Sequence, residues 1–156
     1  MSDTPNLATE TLKLGNQLCF AVYAAAHALN KTYKPLLEPL ELTYPQYLVM
    51  LVLWEGDGLT VKEIGERLFL DSGTLTPLLK RLEAAGRVRR VRDSTDERQV
   101  RITLTDAGRA LRQLATEVPP ALLCATGMDI PGLIGLKDDL AKLRSTLETT
   151  PENPAA

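Results

Sequence analysis

The hydrophobic period changes once between Thr60 and Thr105, at Gly86, and this change constrains the fold more than any other feature of the chain. Before Gly86 the pattern is helical. Thr60-Val61-Lys62-Glu63 is a capping box that opens a short helix to about Leu68. Leu70-Asp71-Ser72-Gly73 reads as a turn, and Leu75, Leu78, Leu79 and Leu82 then recur on one face of a second helix. Gly86 is the residue type that stops such a helix in a left-handed conformation. After it the period is two: Val88 to Arg92 and Val100 to Leu104 read as the strands of a hairpin, joined by the polar loop Asp93 to Arg98. Thr105-Asp106 caps the next helix.

The flanking segments are helical. Leu14, Leu18, Val22, Ala25 and Leu29 form an apolar stripe on a helix from about Leu12 to Lys31, which Pro35 and Pro39 break or kink. Thr43, Pro45 and Gln46 start another helix, apolar nearly all round through Trp54 and therefore buried. A helix from Asp106 to about Val118 is ended by Pro119-Pro120, and a last one runs from about Gly132 to Leu147. Residues 1–9 and 149–156 read as disordered. The expected fold class is mainly α with a small β-hairpin wing, in a single domain of 156 residues. The longest apolar run, Tyr47 to Trp54, is far below the ~18 residues of a membrane span, and the polar, acidic Met1 to Glu10 is not a signal peptide. A cytoplasmic protein with no membrane partner is expected.

A short helix, a tight turn and a second amphipathic helix make a helix-turn-helix, and residues 60–105 add a charged wing to it. Such a unit enters a major groove if the outward face of its second helix is small and polar near its start. Here that face carries Ser72, Thr74 and Thr76, then Lys80 and Arg81. The hairpin adds Arg89, Arg90, Arg92 and Arg101, with Arg98 near its tip, where it suits a narrow minor groove. Asp96 and Glu97 do not favour phosphate; the job that fits them is to hold Arg98 in one rotamer. Eight Lys or Arg stand against four Asp or Glu between Lys80 and Arg101, a balance of +4 in a chain of net charge −2. A basic segment on an acidic protein is the footprint of a localised DNA contact, although a solvated surface would carry the same charges. The helix start is ambiguous, because local rules put Thr76 at the cap and Pro77 at the first position, whereas a start at Ser72 needs a distorted turn. Two cysteines and one histidine, His27, cannot furnish a structural zinc site, so no metal and no cofactor is expected.

The stretch Leu75 to Arg109, with LTPLLKRLEAAGRVRRVRDSTDERQVRITLTDAGR, resembles the MarR family of bacterial winged-helix regulators. The wing tip Asp96-Glu97-Arg98 and the following TDAG carry the likeness, which extends over roughly Leu12 to Leu147. The resemblance implies a homodimer whose helices in residues 12–40 and 106–147 intertwine, with two winged units on a palindromic operator in double-stranded DNA. It further implies that the recognition helix begins at Ser72, and that Arg98 enters the minor groove with Asp96 steadying it.

Cys19 precedes all four tyrosines, which lie between Tyr23 and Tyr47. Composition alone favours a small core cysteine among core aromatics. The functional alternative needs a thiolate, and a free thiol of pKa ~8.5 is only a few per cent ionised at neutral pH. Tyr23 lies one helical turn from Cys19, and Tyr33 and Tyr44, on segments that follow, could fold back onto it; phenol donors would stabilise the anion. A thiolate in an apolar pocket reacts with the O–O bond of a peroxide, and an apolar lining favours organic hydroperoxides.

LCFAVYAAAHALNKTYKPLLEPLELTYPQYLVML, residues 18–51, is similar to the organic hydroperoxide resistance regulators, a redox-sensing branch of the same family. That likeness implies Cys19 as the sensing thiol, Tyr33 and Tyr44 as its partners and Tyr23 as a further pocket tyrosine. Cys124 then matches the resolving cysteine of two-cysteine members. The implied function is a non-enzymatic repressor that is bound to its operator when reduced. Organic hydroperoxide, its inducer, releases it by oxidising Cys19, which forms a disulfide with Cys124 of the other subunit. Two alternatives stay open: a repressor answering to a non-covalent aromatic ligand, and a thiol peroxidase. His27 reads as a core or interface residue.

Overall fold

The computed structural model describes residues 10–149. The ends expected to be disordered lie outside these, except that Thr149 closes the last helix instead of starting a tail. The chain divides after Val118 into two compact units.

The first unit is built on a three-stranded antiparallel sheet and the helices around it. A 3₁₀ turn at Leu14–Asn16 precedes α1, Leu18–Leu37. The expected break at Pro35 does not occur. Proline fixes a helical φ and removes one N–H, and near the C-terminal end of α1 the bond it deletes is a single one to an exposed Lys31. Pro39 instead lies in the 3₁₀ turn Glu38–Leu40 that follows. α2, Tyr44–Glu55, begins with the expected capping box: the Gln46 N–H donates to the Thr43 hydroxyl, and the Thr43 N–H to the Gln46 side-chain carbonyl at 2.9 Å. The second box, at Thr60 and Glu63, opens α3, Val61–Leu68.

α4 runs from Ser72 to Ala84, so the helix starts at Ser72 and Pro77 lies inside it. The magnitudes decide this outcome. An interior proline costs about 3 kcal/mol, whereas burying each leucine contributes about 1.5–3 kcal/mol, and Leu75, Leu79 and Leu82 are all buried by this register. The turn before α4 closes on Phe69, which takes a left-handed φ of 56°. Gly86, at φ 70°, ends α4 as expected.

The hairpin strands are β2, Val88–Arg92, and β3, Val100–Leu104, in the register Val88 opposite Leu104. A strand of two residues, β1, Leu59–Thr60, pairs with β3 and was not legible in the sequence. The core joins Leu37 at the end of α1, Leu40 of the turn after it, Met50 and Leu53 of α2, Ile64 of α3, the α4 leucines, and Val88 and Ile102 of the sheet.

α5 is shorter than expected, Asp106–Ala115, and Val118–Thr126 forms a new helix, α6. Pro119 and Pro120 cannot donate to the carbonyls of Ala115 and Thr116, so the α5 ladder stops upstream of them. The same prolines fit the first turn of α6, where N–H groups have no helical partner. α7, Ile130–Thr149, follows in the second unit. From Pro119 onward no described residue is buried, and Ile130, Ile134, Leu136 and Leu140 are exposed. No single helix among the described residues is long and apolar enough to cross a membrane.

Candidate DNA interface and thiol site

The start of α4 is held by Asp71. Its carboxylate accepts the Thr74 N–H at 2.8 Å and the Thr74 hydroxyl at 3.2 Å, and these bonds hold its pKa below the usual range. Thr74 is exposed, but its hydroxyl proton is committed to Asp71 and only its lone pairs face outward. Ser72, Lys80 and Arg81 are exposed on the same helix, and Thr76 is half-buried.

The hairpin arginines fall into two classes. Arg89, Arg92 and Arg98 are exposed and form no ion pair among the described residues, as is also true of Lys80 and Arg81. Arg101 is different: it pairs with Asp93 and donates to the Gly58 carbonyl at 2.8 Å, so it ties the wing to the body and is not a free cation for DNA. Arg90 is half-buried, with its Nε enclosed and without an acceptor, so it presents less charge outward than its position in the hairpin suggested. The Asp96 carboxylate accepts the Arg98 backbone N–H at 3.1 Å.

The wing is joined to α5 at Thr105 and Gly108. The Thr105 hydroxyl accepts the Gly108 N–H at 3.0 Å and donates to the Gly86 carbonyl at 2.6 Å. The Trp54 indole N–H donates to the Gly108 carbonyl at 2.9 Å. The TDAG motif is thus a joint between wing, α5 and α2.

Cys19 is exposed in the first turn of α1, which removes the core-cysteine reading for the single chain. Backbone N–H groups without partners gather at such a turn and favour negative charge. Tyr33 lies on the same helix, about 21 Å further along at ~1.5 Å per residue. The fold-back of Tyr33 and Tyr44 onto Cys19 within one chain is therefore corrected: α1 is one rod, and its length separates them. Tyr33 and Tyr44 do come together, with ring centroids 4.5 Å apart, and Tyr47 adds a third ring at 5.9 Å from Tyr33. Tyr23, one turn from Cys19, packs edge-on against His27 at 4.4 Å, and both are exposed, so His27 is not a core residue of this unit. Cys124 is exposed on α6, in a helix and not in a loop after Pro120.

An open cavity of about 840 Å³ lies beside the tyrosine pair, lined by Asn30, Tyr33, Lys34, Leu37, Leu42 and Tyr44 among others. Burial, reinforced by the neighbouring phenols Tyr44 and Tyr47, pushes the Tyr33 phenol up to about 12, and burial also raises Tyr44. Both are protonated donors at neutral pH. A phenol raised on folding contributes stability that is complete below its unfolded pKa of about 10 and is lost as pH rises towards 12. Tyr33→Phe should therefore flatten the fall in melting temperature between pH 10 and 12; an alkaline limb as steep as that of the wild type would show that Tyr33 does not cause it.

Residues 31–113 match the SarA/Rot family of transcriptional regulators. The organic hydroperoxide resistance transcriptional regulator of Bacillus subtilis is 49% identical over 136 residues, covering 87% of this chain and 92% of that protein. The chain belongs to this MarR-like winged-helix family. It is a DNA-binding transcriptional regulator. The HTH-type transcriptional regulator TtmR of Methylorubrum extorquens is 60% identical over 146 residues, covering 92% of this chain and 75% of that protein. Among solved structures, reduced AbfR bound to DNA is 39% identical with a TM-score of 0.74, covering 92% of this chain and 97% of that one; AbfR is a protein of Staphylococcus epidermidis. AbfR has also been solved in a disulfide form, with a TM-score of 0.60 at 39% identity over the same 92% of this chain and 95% of that one. Sequence reasoning missed Tyr47, Trp54 and Asp93 as parts of this machinery. Tyr47 and Trp54 looked like ordinary core aromatics, and Asp93 like a turn residue.

Proposed function

We propose that the chain is a dimeric, redox-sensing repressor whose Cys19 is oxidised by organic hydroperoxides and whose reduced form binds a palindromic operator. The observation that carries this reading is the separation on α1: an exposed thiol at one end, paired neutral phenols at the other. A second copy running antiparallel reunites them. Cys19 and Tyr33 lie equally far from Ala26, the last of the run Ala24-Ala25-Ala26, where small side chains let two helices approach closely. Crossing there sets Cys19 of one subunit against Tyr33 and Tyr44 of its partner, at the mouth of the cavity, with Tyr23 alongside. The exposed apolar residues Leu18, Val22 and Leu29 and a second unit without a core of its own both call for such a partner.

The thiolate sulfur attacks the distal peroxide oxygen, breaking the O–O bond; the sulfur becomes a sulfenic acid and the peroxide leaves as an alcohol after taking a proton. Cys124 of the partner subunit then displaces the hydroxyl as water and forms a disulfide. Helices shifted by that bond re-aim the two recognition helices away from half-sites one DNA turn apart. On DNA, Ser72, Thr74 and Thr76 face base edges or phosphates, Lys80, Arg81 and Arg90 neutralise phosphate, and Arg98, steadied by Asp96, enters the minor groove. The disulfide form of AbfR and the name of the Bacillus relative support this scheme.

The test is an operator-binding titration. One equivalent of an organic hydroperoxide should release the wild type, and a dithiol should restore binding, while Cys19→Ser stays bound. Release of Cys19→Ser by peroxide would remove Cys19 from the sensing role. Peroxide consumed over many turnovers would favour a peroxidase, and release by an aromatic acid without oxidation would favour a ligand-operated repressor.

A further inference from the structure

We propose that Asp93 is the positioning residue for the wing, presenting Arg98 to the minor groove by holding the loop from residue 93 to residue 99 in one shape. This rests on the reading that Arg98 contacts DNA. Asp93 is only 5% exposed, in a loop whose other residues are largely open to solvent. A buried carboxylate is costly unless its lone pairs are filled, and here they are. One oxygen accepts the Thr95 N–H at 2.7 Å, the Thr95 hydroxyl at 2.6 Å and the Asp96 N–H at 3.2 Å. The other pairs with the Arg101 guanidinium, which is itself anchored on the Gly58 carbonyl next to β1.

The backbone closes around this centre. The Asp93 N–H donates to the Gln99 carbonyl and the Gln99 N–H to the Asp96 carbonyl, each at 2.9 Å. Asp96, fixed by these bonds, accepts the Arg98 N–H. A continuous chain of contacts therefore runs from the body of the protein through Arg101, Asp93 and Asp96 to the backbone of Arg98. The Thr95 hydroxyl and N–H, then Arg101, hold the Asp93 carboxyl well below its usual range. The side chain of Arg98 is exposed and has no ion pair among the described residues.

The test measures affinity against salt for a palindromic duplex selected from a random pool by the wild-type protein. Four full-length proteins are compared: wild type, Asp93→Asn, Arg98→Ala and the double variant. Each single variant should lose roughly ten-fold in affinity and flatten the salt dependence by about two counterions per dimer, one for each wing. The double variant should lose no more than Arg98→Ala alone, because Asp93 acts only through Arg98. Losses that multiply in the double variant would show general destabilisation and overturn the proposal, as would Asp93→Asn binding like wild type while Arg98→Ala binds weakly. Wild-type binding by Arg98→Ala would overturn the underlying DNA reading and this proposal with it. If Asp93→Asn does not fold, Thr95→Val removes one donor and leaves the ion pair intact; a smaller loss that vanishes in the Arg98→Ala background is expected, and a loss that persists there contradicts the assignment.

Discussion

A Gly108→Ala protein is expected to melt about 10–20 °C below the wild type. A methyl group at this position would overlap the carbonyl oxygen of Arg87 and stand 3.1 Å from its carbonyl carbon. Backbone atoms cannot swing aside as a side-chain tip can. The Arg87 carbonyl also accepts the Thr105 N–H at 3.1 Å, so moving it strips the cap from α5. Moving α5 instead breaks the Trp54 bond to the Gly108 carbonyl. A clash without an outlet costs above roughly 3 kcal/mol, and each kcal/mol lowers Tm by about 4 °C in a unit of this size. Gly56→Ala, at a position with open space around it, is the control and should shift Tm by little. Thermal unfolding followed by circular dichroism makes the comparison. A Gly108→Ala protein melting within about 3 °C of wild type would show that the joint between wing and α5 is softer than its geometry implies.

Placing charges on α1 should have a larger effect on DNA binding than any change in the wing. Val22 and Leu29 are exposed apolar residues of the α1 stripe, and in a two-fold dimer every substitution acts twice. Val22→Glu combined with Leu29→Glu sets four carboxylates against one another at the proposed interface. The expected result is a monomer in sedimentation experiments and an operator affinity at least ~100-fold weaker, because two linked half-site contacts become independent. The winged unit itself should stay folded, since neither residue belongs to its core. A variant that remains dimeric with unchanged affinity would move the dimer interface elsewhere.

The winged unit was legible because each of its signals is local. Thr60 with Glu63, the leucine spacing of α4, Gly86 and the alternating Val88 to Arg92 each name one element without help from the rest of the fold. The proline-bearing segments were not, because local rules weigh a missing N–H but not the burial that outweighs it. Pro77 stays in α4 because three leucines are buried there, while Pro119 and Pro120 act four residues upstream, on the end of α5. Strand β1 has two residues and exists only through its pairing with β3. At the candidate site, residue types pointed to Cys19 and the tyrosines, but not to the distance between them. That distance follows from the continuity of α1, which keeps Cys19 away from Tyr33 within one chain. Likewise the basic hairpin looked uniform, yet Arg101 is committed to Asp93 and Gly58 while Arg98 has no ion pair among the described residues.

In the proposed scheme, disulfide formation at Cys19 and loss of the operator are one event. The direct measurement takes samples treated with increasing organic hydroperoxide and reads two quantities from each: the fraction of protein in the Cys19–Cys124 disulfide, by mass spectrometry of non-reduced peptides, and the fraction of operator released. The two fractions should rise together and fall together on reduction, with the disulfide joining two subunits. Operator released while Cys19 is still a thiol, or retained when the disulfide is complete, would contradict it.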